Sequence, residues 1–290
     1  MCPDCTPLQH VVNLDLTLPD HAYLMGLIHS DGHLSAQSRH RGCLSIELAQ
    51  RDADILHKLQ VVIGAGATLS ERTRDTNFST AHSSVSLRVF DRGFREQLIS
   101  LGVPVGPKSD TITPPSAPFS RIDYLRGYVD GDGSLGMTSH GFPFLSVVTA
   151  SEPIASLFAG FIFDVTGLRK QCNRNARDEV FNLSVFKEDA RSIASALYYG
   201  GCLSMDRKRD AAELMYVWER PTGMRKRSRH YLWTKTDDAF ILTHGVSESV
   251  HSLGRTKASI EMRLWRLKRD AQADLVTPVT VLRPLAVIKA

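Results

Sequence analysis

The spacing of apolar and polar positions changes period several times along this chain, and the changes recur in the same order. Leu24, Leu27 and Ile28 share one helical face, with Asp31 one turn further along it. Leu44, Ile46 and Leu48 then alternate with Ser45, Glu47 and Ala49, which predicts a half-buried strand. A helical pattern over 52–63 stops at Gly64, two strands follow, and a short helix over 94–101 stops at Gly102. The later strand is the clearer one, with Val85, Leu87 and Val89 alternating with Ser86 and Arg88. From residue 125 the order returns: a helix, strands over 134–138 and 145–149, and a helix over 152–165 stopped by Gly167. A polar stretch over 169–177 leads to a strand over 180–186 and helices over 189–199 and 207–218.

Beneath this pattern lies one phrase written twice. Leu24-Met25-Gly26-Leu27-Ile28-His29-Ser30-Asp31-Gly32 recurs as Leu125-Arg126-Gly127-Tyr128-Val129-Asp130-Gly131-Asp132-Gly133, 101 residues later. A repeat of about 100 residues with the pattern αββαββα accounts for both the order and the spacing. The expected fold class is therefore α+β, with pseudo-symmetric halves at 20–110 and 121–220. Pro114, Pro115 and Pro118 stiffen the connector between them. Gly26 and Gly127 lack side chains where two such helices would cross, so their backbones can approach closely. That crossing would bring Asp31 and Asp132 together. Two neighbouring carboxylates repel and raise one another's pKa, and a divalent cation relieves the repulsion. Such a cation, held between carboxylates and a phosphodiester, can activate water and stabilise the leaving oxygen. One aspartate before a turn glycine is an ordinary helix end, whereas two in register predict a shared site.

Charge divides the chain unevenly. Residues 1–220 carry 22 Lys/Arg and 25 Asp/Glu, whereas residues 221–270 carry 11 and 5. The basic footprint expected of a nucleic-acid binder thus lies in a C-terminal module, 233–270, and in the linker before it. Thr236, Ser247 and Thr256 are candidate N-caps for three short helices. Phe240, Ile241, Val250, Leu253, Ile260, Leu264 and Leu267 would form their core. The third helix displays Lys257, Arg263, Arg266, Lys268 and Arg269, as in a helix-turn-helix unit, although a solvated amphipathic bundle would show the same charges. Five scattered cysteines argue against a disulfide framework, and Cys2-Pro3-Asp4-Cys5 lacks the second ligand pair of a structural zinc site. With no apolar run of membrane-spanning length and no signal-peptide pattern, an intracellular, cytoplasmic protein is expected.

The two phrases, most clearly LRGYVDGDGSL in the second, resemble the LAGLIDADG motif of the homing endonucleases, and the doubled pattern resembles the single-chain members of that family. The first copy departs by placing His29 where the family often has its first acidic residue. The resemblance spans roughly residues 20–220. It implies two four-stranded saddles over double-stranded DNA and Mg²⁺-dependent cleavage of both strands across the minor groove. Asp31 and Asp132 would then be metal ligands, aided by the backbone carbonyls of Ser30 and Gly131. Lys108 and Lys208, just before each repeat's last helix, would polarise the scissile phosphate or order water, with Arg207 and Arg209 competing for the second role. Gln50 would position water, with Ser151 as its counterpart. His33, Ser35, Gln37, Arg72, Arg74, Arg88, Thr138, Arg174 and Arg177 would read DNA from the strands, and Lys257, Arg263 and Arg266 from the appended helix. A monomer needing no protein partner and binding an asymmetric site follows from carrying both halves in one chain.

Two other functions fit the same residues. A catalytically silent DNA-binding transcription regulator, of the WhiA type, also joins such a core to a helix-turn-helix. An RNA maturase would use the same strands on structured RNA. An intein is disfavoured, because no splicing-type Asn precedes Val287-Ile288-Lys289-Ala290.

Overall fold

Pro19, in the first turn where a missing N–H leaves no bond unmade, opens the first motif helix, α1 (Pro19–Asp31). In this computed structural model, which describes residues 11–35, 42–76, 79–224 and 233–276, α1 runs directly into β1 (Gly32–Ser35). Then come β2 (Cys43–Ala49), a 3₁₀ turn (Gln50–Asp52), α2 (Asp54–Ile63), β3 (Ala67–Thr76), β4 (Ser79–Val89) and α3 (Arg92–Ser100). The four strands form one antiparallel sheet ordered β1-β2-β4-β3. The second repeat opens with α4 (Arg121–Asp132), again continuous with a strand, β5 (Gly133–Met137). It continues through β6 (Pro143–Thr149), α5 (Glu152–Thr166), β7 (Phe181–Phe186), α6 (Lys187–Leu197) and α7 (Asp206–Tyr216). Its sheet is β5-β6-β7.

The architecture is α+β with the duplicated order, and the halves differ in one strand. Among the described residues the second sheet has three strands. The polar stretch over 169–177 makes only an isolated bridge, Arg174 to Phe181. This stretch has no alternating apolar positions with which to cover a core, so nothing extends the bridge into a ladder. Gly64 (φ 90°) and Gly167 (φ 69°) terminate α2 and α5 where the sequence places stops.

The motif helices pack against each other at the centre of the apolar core, and residues 22–29 and 123–130 are buried on every side. A Cβ at Gly26 would overlap the Tyr124 carbonyl, and one at Gly127 would overlap the Tyr23 carbonyl. These collisions are related by the same 101-residue step, so the crossing has a pseudo-twofold axis. Total burial also encloses polar side chains that a one-sided helix would leave wet. Arg126 is fully buried, paired with Asp123 at 2.6 Å and donating to the carbonyls of Leu197 and Leu203. A buried charge of this kind is tolerable only with a paired counter-charge and hydrogen bonds such as these.

The chain divides into two compact units, Met1–Ser228, which holds both repeats, and Arg229–Ala290. In the second, α8 (Lys235–Thr243), α9 (Val246–Leu253) and α10 (Lys257–Val276) pack around Ile241 and Ile260. Thr234, not Thr236, caps α8 in a capping box with Asp237, and Gly245, not Ser247, precedes α9. Thr256 does cap the third helix, accepting from the Ser259 amide. Among the described residues no helix is long and apolar enough to cross a membrane.

Candidate active site

Asp31 and Asp132 are the last residues of α1 and α4, so the helix crossing delivers both carboxylates to one place. Burial, and then the charge of Asp132, push the Asp31 pKa up to about 6. Burial also raises that of Asp132, against the pull of Lys108, a Tyr128 hydrogen bond and Lys208. Each carboxylate stands at the C-terminal, partially negative end of its helix, which adds to the unfavourable charge.

Two buried lysines offset that charge. Lys108 Nζ donates to the carbonyls of His29 and Ser30, both at 2.7 Å. Lys208 Nζ donates to those of Val129, Asp130 and Gly133 at 2.6–2.8 Å. Each lysine thus holds the final turn of the motif helix in its own repeat. Burial lowers both pKa values, that of Lys208 to about 8. Because the Ser30 carbonyl accepts from Lys108, its expected role as a metal ligand competes with that bond. Of the cations flanking Lys208, Arg207 is held by Asp52 in a two-point ion pair and Arg209 by Asp206.

A cleft of about 440 Å³ opens beside Asp31, lined by Glu47, Asp52, Asp130, Gly131, Arg207 and Lys208 among others. Among the described residues no group of three or more His, Cys, Asp and Glu side chains is arranged to hold a metal. The donor set is two hard carboxylates whose pKa values stay raised despite the two lysines. That suits a cation such as Mg²⁺, which binds one or two carboxylates and completes its shell with water and phosphate.

The remaining expected residues separate into groups. Gln50 is exposed at the end of β2. Ser151 is buried as the N-cap of α5 and donates to the Ile112 carbonyl, so it is a structural cap and no counterpart of Gln50. His33 and Arg88 lie on the exposed face of the first sheet in one cross-strand row with Ser45 and Thr68, and Arg72 is exposed on β3. Ser35 exchanges hydrogen bonds with the Cys43 backbone. Arg74 pairs in register with His82, its side chain lying outside the described residues, as does Gln37. Thr138 closes the β5–β6 hairpin against Phe142, Arg174 donates to the carbonyls of Ala150 and Glu179, and Arg177 pairs with Asp178. In the second unit Lys257 and Arg266 are exposed. Arg263 forms a two-point ion pair with Asp238 of α8.

Sequence reasoning missed the network around Asp130. Its carboxylate accepts from Tyr23 (2.5 Å), Tyr198 (2.6 Å) and the Met205 amide (2.8 Å), and is fully enclosed. Its pseudo-symmetric counterpart is His29, whose Nδ1 is 2.7 Å from the Tyr124 hydroxyl and whose Nε2 is buried without a partner. Burial, reinforced by Lys108, lowers the His29 pKa to about 3, so the ring is neutral.

No protein-family model matches the sequence, and neither does any curated protein. Among solved structures, the chain is similar to the homing endonuclease I-WcaI bound to its DNA recognition sequence. The identity is 13%, the match covers 69% of this chain and 88% of that one, and the TM-score is 0.47. It is similar to I-SmaMI bound to an uncleaved DNA target in the presence of calcium ions (12%, 69% and 90%, TM-score 0.44). It is also similar to full-length DUF199/WhiA from Thermatoga maritima (11%, 90% and 94%, TM-score 0.41). The α+β class, the repeated order and the paired motif helices are those that the LAGLIDADG resemblance implies, whereas the second sheet has three strands among the described residues and not the four expected.

Proposed function

We propose that this chain is a site-specific, Mg²⁺-dependent endonuclease that cuts both strands of a long, asymmetric DNA duplex. The observation that carries the reading is the pair Asp31 and Asp132, delivered by crossed helices and each raised in pKa. Mg²⁺ bound by them would supply charge neutralisation at the phosphate and an acidified water. Lys108 and Lys208 keep the ends of the motif helices, and so the carboxylates, in position. Their positive field favours an approaching phosphate. Gln50 is exposed at the end of β2, where an amide would orient water. His33, Arg72 and Arg88 present donors to base edges and phosphates from the first sheet. The C-terminal helices add a second, basic contact through Lys257 and Arg266.

The test is incubation of the full chain with a randomised duplex library and MgCl₂, followed by sequencing of the cut ends. One recurrent cleavage position, abolished by Asp31→Asn and by Asp132→Asn, is the expected result. Cleavage that survives either change would refute the shared site. Sequence-specific binding without any cut would identify a silent regulator instead.

A further inference from the structure

The 101-residue step lets the two sheet faces be compared position by position. In the first repeat, β1 and β2 turn His33, Cys43, Ser45 and Glu47 outward, opposite the buried Leu34, Leu44 and Ile46. In the second, the same places hold Ser134, Phe144, Ser146 and Val148. Across the ladder, Ser45 pairs with Arg88 and Glu47 with Ser86, whereas Ser146 pairs with Ser184 and Val148 with Asn182. Three charged or ionisable positions of the first face (His33, Glu47 and Arg88) are thus a hydroxyl, a valine and a hydroxyl in the second.

Apolar surface has also been added. Phe144 stands directly opposite Phe186, which is 53% exposed, and Val148 is 41% exposed. On the other side of Phe144, which is half-buried, the register partner is Gly136, which has no side chain to set against the ring. Between the aromatic row and Val148 lies a row of three serines, in which Ser146 and Ser184 hydrogen bond at 2.9 Å. Phe90, just past β4, exposes one ring at the matching rim of the first sheet, so the contrast lies in the other positions.

Apolar side chains grouped on an exposed sheet face and rimmed by polar ones mark a surface that another molecule covers. This face is continuous with the site, since β5 begins at Gly133, immediately after Asp132. We infer that the second sheet reads its DNA half-site through thymine methyl groups, with Phe144, Phe186 and Val148 as the contacting side chains. The first sheet reads its own half-site through charge and hydrogen bonds. The inference rests on the DNA-cleaving reading above and adds to it a base chemistry for one half. Apolar side chains recognise the C5-methyl of thymine in the major groove, while serine hydroxyls accommodate either base of a pair.

The experiment begins with sites recovered by the full chain from a randomised duplex library in the absence of divalent metal. These are resynthesised with deoxyuridine in place of thymidine in one half at a time, which removes only methyl groups. Wild-type protein should bind about fourfold more weakly for each contacted thymine replaced in one half, the loss expected from one buried methyl. In the other half the loss should stay within that of the single thymine Phe90 can reach. Phe144→Ser and Phe186→Ser should each reduce the deoxyuridine penalty and relax sequence preference in that same half only. Equal penalties in the two halves, or a penalty unchanged in both variants, would overturn the inference while leaving DNA binding in place. Recovery of no recurrent sequence would overturn it together with the reading on which it rests. The deoxyuridine comparison uses unaltered protein and does not depend on how the variants fold.

Discussion

Tyr23, on the first motif helix, donates its hydroxyl across the crossing to Asp130 on the second at 2.5 Å. The same step of 101 residues relates this bond to the one between Tyr124 and His29 at 2.7 Å. The two tyrosines are equivalent and their partners are not: one is a triply bonded carboxylate, the other a neutral imidazole with one nitrogen unpartnered. The pseudo-twofold axis is therefore geometric, and the chemistry on its two sides has diverged.

The glycines at the crossing give the sharpest test of the fold. Gly26→Ala and Gly127→Ala each force a methyl into a facing carbonyl and should destabilise by more than about 4 kcal/mol, the range reserved for severe core damage. Gly160→Ala in α5 meets nothing within 4 Å and should instead gain about 0.5–1 kcal/mol from reduced backbone freedom. Urea midpoints of the three variants check both signs.

Without metal, the carboxylates should weaken the protein they sit in. Asp31 has a folded pKa near 6 against an ordinary 3.8, so its contribution is lost as pH rises through that window. Asp31→Asn should therefore raise the melting temperature at pH 8, by the equivalent of about 1–2 kcal/mol after allowance for partial exposure. Added MgCl₂ should raise the melting temperature of the wild type and leave that of Asp31→Asn nearly unchanged.

His29 acts in the opposite sense. Its folded pKa of about 3 lies below the unfolded value of 6.5, so the unfolded chain binds more protons between those limits. Stability should fall as pH drops from 6.5 towards 3, by a total on the order of 4 kcal/mol from this group. His29→Gln should flatten that limb in a pH series of urea denaturations.

Removal of the chain after Ser228 takes away the basic helical unit. DNA affinity should drop and the slope of log K against log salt should become shallower, since fewer phosphate contacts release fewer counterions. Metal-dependent cutting should persist at high protein concentration. Fluorescence anisotropy at several salt concentrations measures the slope, and an unchanged one would remove that unit from the DNA interface.

A single chain already carries both aspartates, so light scattering should find one protein per duplex in the active complex. Two proteins per duplex would exclude a monomeric enzyme.

The doubled phrase made the centre of this fold legible, because one spacing fixed two helices, two glycines and two carboxylates at once. Lys108 and Lys208 were legible as a pair of cations, but not just before the last helices: Lys108 follows α3 and Lys208 lies in the first turn of α7. Their bonds to backbone carbonyls were not legible, since a lysine carries no sign of what it will donate to. Asp130 was visible as an acidic residue in an apolar run, but its partners Tyr23 and Tyr198 lie 107 and 68 residues away with no periodicity linking them. Nothing in the sequence marks Arg126 as a core residue, since an arginine is ordinarily exposed, yet it is fully buried because both motif helices are covered all round. That the second sheet has three strands among the described residues agrees with the unpatterned polar stretch over 169–177, where a strict repeat of the first half would need a fourth.

Ser30 and Gly131 occupy equivalent places, and the serine hydroxymethyl fills the room a Cβ on Gly131 would need. Two copies of the first repeat, brought together about the same axis, would each present a serine to space that holds one. Two copies of the second would leave that space empty, although each Asp130 would still meet a tyrosine hydroxyl, that of the other copy's Tyr124. The repeats have become lock and key to each other. Separating their coding sequences should yield fragments that reassemble as mixed pairs, because the serine of the first repeat fills the space beside the glycine of the second.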